Sequence, residues 1–94
     1  MYVSTYTFTG DTTDLLAKYD RLLDLFRGEI LINLAVATPT GMVVIDTCPD
    51  RATAEAFWAG PEWSGALASV GLAQPEITGL GDVHAAISTV SVPA

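Results

Sequence analysis

The chain has 94 residues, half of them hydrophobic, with eleven acidic side chains against four basic ones and a formal charge of −7. That length makes one domain around one core, and no apolar run approaches the roughly 20 residues of a membrane span. The acidic balance excludes nucleic acid and anionic membrane surfaces as natural partners, since both are held by Lys/Arg-rich patches.

Only Lys18, Arg21, Arg27 and Arg51 are basic, three of them on one predicted helix. The single Cys48 excludes an intrachain disulfide and a Cys-rich zinc site. The N-terminus lacks the basic n-region and long apolar h-region of a secretory signal, so a cytoplasmic protein is expected. A domain this small and this apolar is expected to hide its surplus in an interface between copies.

Residues 2–8, Tyr-Val-Ser-Thr-Tyr-Thr-Phe, are aromatic and β-branched and predict a first strand. Its faces are Tyr2/Ser4/Tyr6/Phe8 and Val3/Thr5/Thr7. Asp11 or Thr12 is the expected cap of a helix over residues 14–27, with Asp14 in its first turn. There Leu15, Leu16, Tyr19, Leu22, Leu23 and Phe26 fall on one stripe of helical period, and Leu25 does not. Gly28 ends it.

The centre of the chain is a predicted hairpin: strands over residues 30–37 and 42–47, joined through Thr38-Pro39-Thr40-Gly41. With a type I turn and Gly41 as a bulge, Val36 opposes Val44, Leu34 opposes Asp46 and Asn33 opposes Thr47. Ile30, Ile32, Leu34, Val36, Val44 and Asp46 then share one face. Leu31, Asn33, Ala35, Ala37, Val43, Ile45 and Thr47 share the other, a small-residue face that bulky groups or a ligand must fill. Almost nothing on either strand is polar, so both faces call for burial.

Cys48-Pro49-Asp50 starts a helix over residues 51–59, with Pro49 expected at its first position and Ala54, Phe57 and Trp58 towards the sheet. Gly60-Pro61 breaks it. A second short helix runs from Glu62 or Trp63 to Val70 and closes at Gly71. Residues 76–87 form a last strand whose Gly79 and Gly81 mark a bulge or bend. The tail, 88–94, keeps some β character and is expected to extend or swap onto a partner. The order β-α-β-β-α-β is the ferredoxin-like split arrangement, an α+β antiparallel sheet with its helices on one face. The bare face is left for a second copy.

Asp46-Thr47-Cys48-Pro49 leading into Ala54-Glu55-Ala56-Phe57-Trp58 and Gly60-Pro61-Glu62-Trp63, after a strand, a helix and a hairpin, resembles the dimeric α+β barrel superfamily. Its best-known branch is the antibiotic-biosynthesis-monooxygenase-like proteins. The resemblance spans nearly the whole chain and implies two sheets packed face to face in a homodimer. It also implies a ligand cleft between each sheet and its own helices. Activities in that superfamily include cofactor-free oxygenation of polyketide phenols, haem degradation, isomerisation and cyclisation, and fold alone does not choose among them. The haem-degrading branch joins Asn, Trp and His. Here Asn33 is on the second strand and His84 on the last, away from the helix bearing Trp63, which places that activity last.

Two polar residues stand out as candidate catalytic groups. His84, the only histidine, has a convenient pKa for a general base, or bonds backbone, Asp82 or Asp46 near a dimer seam. Asn33 either satisfies a neighbour such as Thr47 or orients a ligand. Asp46 is a cavity carboxylate, or a strand end paired across a dimer or with Arg51. Ala35 marks the cavity floor, while Tyr6, Trp58 and Trp63 supply aromatic walls that core packing also explains. Cys48 at a helix N-terminus is either an activated or a buried thiol. No metal site and no cofactor is expected.

Two functions follow. The first is a small-molecule site in the sheet–helix cleft, carrying cofactor-independent monooxygenation or isomerisation of an aromatic or polyketide-like compound. Asn33 and His84 are its polar groups. The second is a non-catalytic dimeric binding or interaction module.

Overall fold

Alternation in β1 (Tyr2–Thr9) sends Tyr2, Ser4, Tyr6 and Phe8 into the interior and leaves Thr7 and Thr9 exposed. Around this strand the computed structural model, which describes residues 1–28 and 31–86, arranges six further elements. They are α1 (Thr12–Phe26), β2 (Asn33–Thr38), β3 (Gly41–Cys48), α2 (Arg51–Ala59), α3 (Pro61–Val70) and β4 (Glu76–Asp82). The strands form one four-stranded sheet in the order β2-β3-β1-β4, every neighbour antiparallel. This is an α+β arrangement compatible with the ferredoxin-like fold.

The predicted stripe of α1 is its buried face: Leu15, Tyr19, Leu22 and Phe26 are inside and Leu25 is exposed. Asp11 caps the helix, its carboxylate accepting from the Asp14 N–H at 2.9 Å. These residues pack with Trp63 and Leu67 of α3 on Tyr6, Phe8, Met42 and Val44 of the sheet. Asp50 caps α2, so Pro49 lies outside that helix; it is Pro61 that takes the first position of α3. Gly71, at φ 80°, closes α3 in the left-handed conformation.

The hairpin differs from its expected register by one residue. Thr38 pairs with Gly41, leaving a two-residue Pro39-Thr40 turn, and Ala35 pairs with Val44. Gly41 is not a bulge but the first residue of β3. A Cβ there would run into the backbone carbonyl of Phe8, so the close approach of β1 requires glycine. The slip moves every β3 side chain to the opposite partner set. Asn33, Ala35 and Ala37 now share the helix-side face with Met42, Val44 and Asp46, while Leu34 and Val36 share the far face with Val43 and Ile45. Thr47 does not meet Asn33. Its hydroxyl instead accepts from the Ile32 N–H at 2.9 Å and donates to the Ile32 carbonyl at 2.8 Å, continuing the β2–β3 ladder by a side chain.

The last strand ends at Asp82. Val3 pairs with Gly81 and Ser4 with Gly79, so Leu80 is the extra residue of a bulge between two glycines. Residues 83–86 lie beyond the strand. Ile30 and Ile87, which the sequence assigns to strands, and the tail 88–94, with its expected β character, lie outside the described residues. The far side of the sheet carries no helix among those residues. Leu34 and Val36 are 40% and 44% exposed there, beside the half-buried Val3, Thr5, Val43 and Ile45. No helix is long and apolar enough to cross a membrane among the described residues.

Candidate functional site

Four side chains reach one another across four elements between the sheet and its helices. β1 supplies Tyr6, β2 supplies Asn33, β3 supplies Asp46 and α1 supplies Tyr19. Asn33 and Asp46 are cross-strand partners on the helix side. Tyr6 lies one strand further in, and Tyr19 comes down from the buried stripe of α1.

Asp46 is the focus. Its Oδ2 accepts from the Tyr6 hydroxyl at 2.7 Å and its Oδ1 accepts from Asn33 Nδ2 at 3.1 Å. Behind each donor stands a further donor. Trp58 Nε1 donates to the Tyr6 hydroxyl at 3.0 Å, and the Tyr19 hydroxyl donates to Asn33 Oδ1 at 2.7 Å. Every proton in this chain of hydrogen bonds points towards the carboxylate, which fixes both rings, the amide and the carboxylate in one arrangement. Burial, with the Asp46 charge adding to it, pushes the Tyr6 and Tyr19 hydroxyls far above their ordinary range, so both remain protonated donors.

Beside this network opens a cavity of about 170 Å³. Tyr6, Tyr19, Phe26, Phe57 and Trp63 wall it, Leu22 and Leu23 close it on the α1 side, and Asn33 and Asp46 supply its polar wall. The rings form a continuous row: Tyr6–Trp63, Trp63–Phe57 and Phe57–Phe26 centroids are 5.2, 5.3 and 5.4 Å apart. The Trp63 indole N–H has no partner among the described residues and takes no part in the network. Cys48 also lines the cavity. Burial, then Asp46 and Asp50, raise its thiol pKa, so the helix N-terminus does not activate it.

Of the residues singled out from sequence, Asn33, Asp46, Tyr6 and Trp63 come together at this cavity, and Trp58 touches it through Tyr6. His84 does not join them. It is exposed in the segment after β4, outside the cavity lining. Ala35 faces the helix side but is exposed on the edge strand and does not line the cavity. Arg51 is not a partner of Asp46, because its guanidinium pairs with Glu55 at 2.7 Å. Tyr19, an aromatic of the α1 stripe that suits a ligand wall or the core, joins the cavity residues through its hydroxyl. Its signal was present, a hydroxyl-bearing ring in the middle of a helix stripe that packs on the strand carrying a lone Asn.

No lining residue is a histidine, Lys or Arg, and Asp46 is the one carboxylate among the described lining residues. No group of three or more His, Cys, Asp or Glu able to hold a metal ion occurs among the described residues. Compared with known protein families and with curated proteins, the sequence matches none.

Proposed function

We propose that this protein binds a small, single-ring molecule in the cleft between its sheet and its helices, and that it works as a pair of copies joined through the far face of the sheet. One observation carries the reading: an aromatic-walled cavity of about 170 Å³ whose one carboxylate, Asp46, is held by two donors. A dry apolar cavity of about 150 Å³ accommodates benzene, so one substituted ring fills this one. The cavity is open at its mouth, and its volume favours a monocyclic ligand over a fused polyketide or a four-ring haem.

Binding is favoured over catalysis as the primary role. The general base expected from the sequence, His84, lies away from the cleft, and Asp46 is held in place by a network that orients it. A second reading, isomerisation by proton transfer, is supported by Asp46 alone. Each of its oxygens accepts one protein donor and keeps acceptor capacity for a ligand proton. Oxygenation without a cofactor has no comparable support in the cleft.

Crystals soaked with phenol or cyclohexanone test the proposal. Ring density between Phe57 and Asp46 is the expected result. Density only on the surface, or none at millimolar concentration, overturns it.

A further inference from the structure

The charge of the cleft narrows the class of molecule it takes, granted that the cleft is a binding site. Of the residues lining it only Asp46 carries a carboxylate, and none of the four basic side chains lines it. Lys18, Arg27 and Arg51 are engaged with Asp14, Asp24 and Glu55 on the outer surface, and Arg21 is exposed on the outside of α1. One positive feature does approach the mouth, the N-terminus of α2 near Pro49 and Thr53. It is already occupied: the Asp50 carboxylate accepts from the Thr53 N–H at 2.7 Å, and this bond holds Asp50 below the usual carboxylate range. No cationic side chain in the cleft is left to receive an anion; the Trp63 N–H, without a partner among the described residues, is a neutral donor.

Desolvation decides between the remaining classes. A ligand that fills the cavity strips water from Asp46, which among the described residues accepts only from Tyr6 and Asn33. A neutral ring leaves that charge under-solvated in an apolar surround, at a cost. A ligand carrying its own positive charge replaces the lost water with a charge-assisted hydrogen bond. The aromatic walls, Tyr6, Tyr19, Phe57 and Trp63, add the attraction of π-systems for an organic cation. The chain's charge of −7 raises the local concentration of cations at the mouth.

We infer that the cleft is a site for a small organic cation, a protonated amine on a single ring or of similar size, with Asp46 as its counter-charge. Tyr6 and Asn33 are positioning residues that hold the carboxylate towards it.

Three nearly isosteric probes separate the possibilities: benzylamine, benzyl alcohol and benzoate, titrated at neutral pH while tryptophan fluorescence is read. Benzylamine is expected to bind about tenfold or more tighter than benzyl alcohol, with benzoate weakest. Asp46→Asn is expected to erase the gap between benzylamine and benzyl alcohol. Asp20→Asn, the same charge change on the exposed side of α1, is expected to preserve it. Benzyl alcohol or benzoate binding as tightly as benzylamine overturns the cation assignment and leaves the cleft as a binding site. A gap lost equally in both variants does the same, by making the preference a property of the whole surface. No binding by any probe overturns the cleft itself. The order among the probes is read on the unaltered protein, so it stands even if Asp46→Asn fails to fold.

Discussion

Asn33 and Asp46 stand directly opposite one another on neighbouring strands, and the Asn33 amide donates to the Asp46 carboxylate at 3.1 Å while accepting from Tyr19 at 2.7 Å. This amide is the joint between α1 and the sheet at the cleft. Replacing it by Ala leaves the Tyr19 hydroxyl without its acceptor and Asp46 with one donor, and is expected to cost about 2–4 kcal/mol of stability in denaturant unfolding. Asn33→Asp places two carboxylates face to face and costs more at neutral pH. Protonation relieves the repulsion, so the gap between the two variants narrows towards about pH 4. A pH-independent gap contradicts the geometry.

The tyrosines make stability fall in alkali. Burial raises the Tyr6 and Tyr19 hydroxyls in the fold above their ordinary value of 10.0, while in the unfolded chain they titrate near that value. The stabilisation is fully present below pH 10.0 and is lost as pH rises above it, because the unfolded state sheds protons first. Each tyrosine contributes a slope of about 1.4 kcal/mol per pH unit. Urea unfolding between about pH 9 and 11 checks this, and Tyr19→Phe is expected to remove close to half of the tyrosine slope.

Much of this was legible in the residues, for reasons that differ from one element to another. The α1 stripe and the alternation in β1 are strong periodic signals, and both sort inside from outside as expected. The register of the hairpin was not, because Pro39-Thr40-Gly41 suits either a two-residue turn or a bulged one. Only the approach of Phe8 to Gly41 decides between them. That slip had set Asn33 and Asp46 on opposite faces. His84 was placed in a strand because residues 83–87 are mostly apolar, whereas strand pairing ends at Asp82, just after the Leu80 bulge. Ala35 is not the cavity floor, because it sits exposed on the edge strand, outside the cavity lining.

Two glycines give opposite results on substitution by alanine. At Gly41 a Cβ meets the Phe8 carbonyl at a φ of 155°, and Gly41→Ala is expected to destabilise by about 2–4 kcal/mol. Gly65, inside α3, has open space where a Cβ would stand. Gly65→Ala is expected to stabilise by about 0.5–1 kcal/mol through helix propensity. Thermal unfolding of the two variants side by side reads both signs.

The uncovered sheet face predicts a pair. Leu34 and Val36 sit on it at 40% and 44% exposure, flanked by Val43 and Ile45. Light scattering at micromolar concentration is expected to give twice the 9.9 kDa chain mass. Val36→Asp, which places a charge on the edge strand of that face, is expected to return the chain to a monomer with little change in its far-UV spectrum. A wild-type monomer at micromolar concentration removes the proposed pairing.

The cleft is tested most directly by nitrogen–proton NMR of the Trp58 and Trp63 indoles and the Asn33 side-chain amide during a benzylamine titration. Trp58 donates to Tyr6, Asn33 donates to Asp46, and Trp63 walls the cavity, so the three signals report from three sides of one space. The expected result is that all three shift together along one saturating curve. Shifts confined to the far face of the sheet, or no saturation at these three groups, contradict a ligand site between the sheet and its helices.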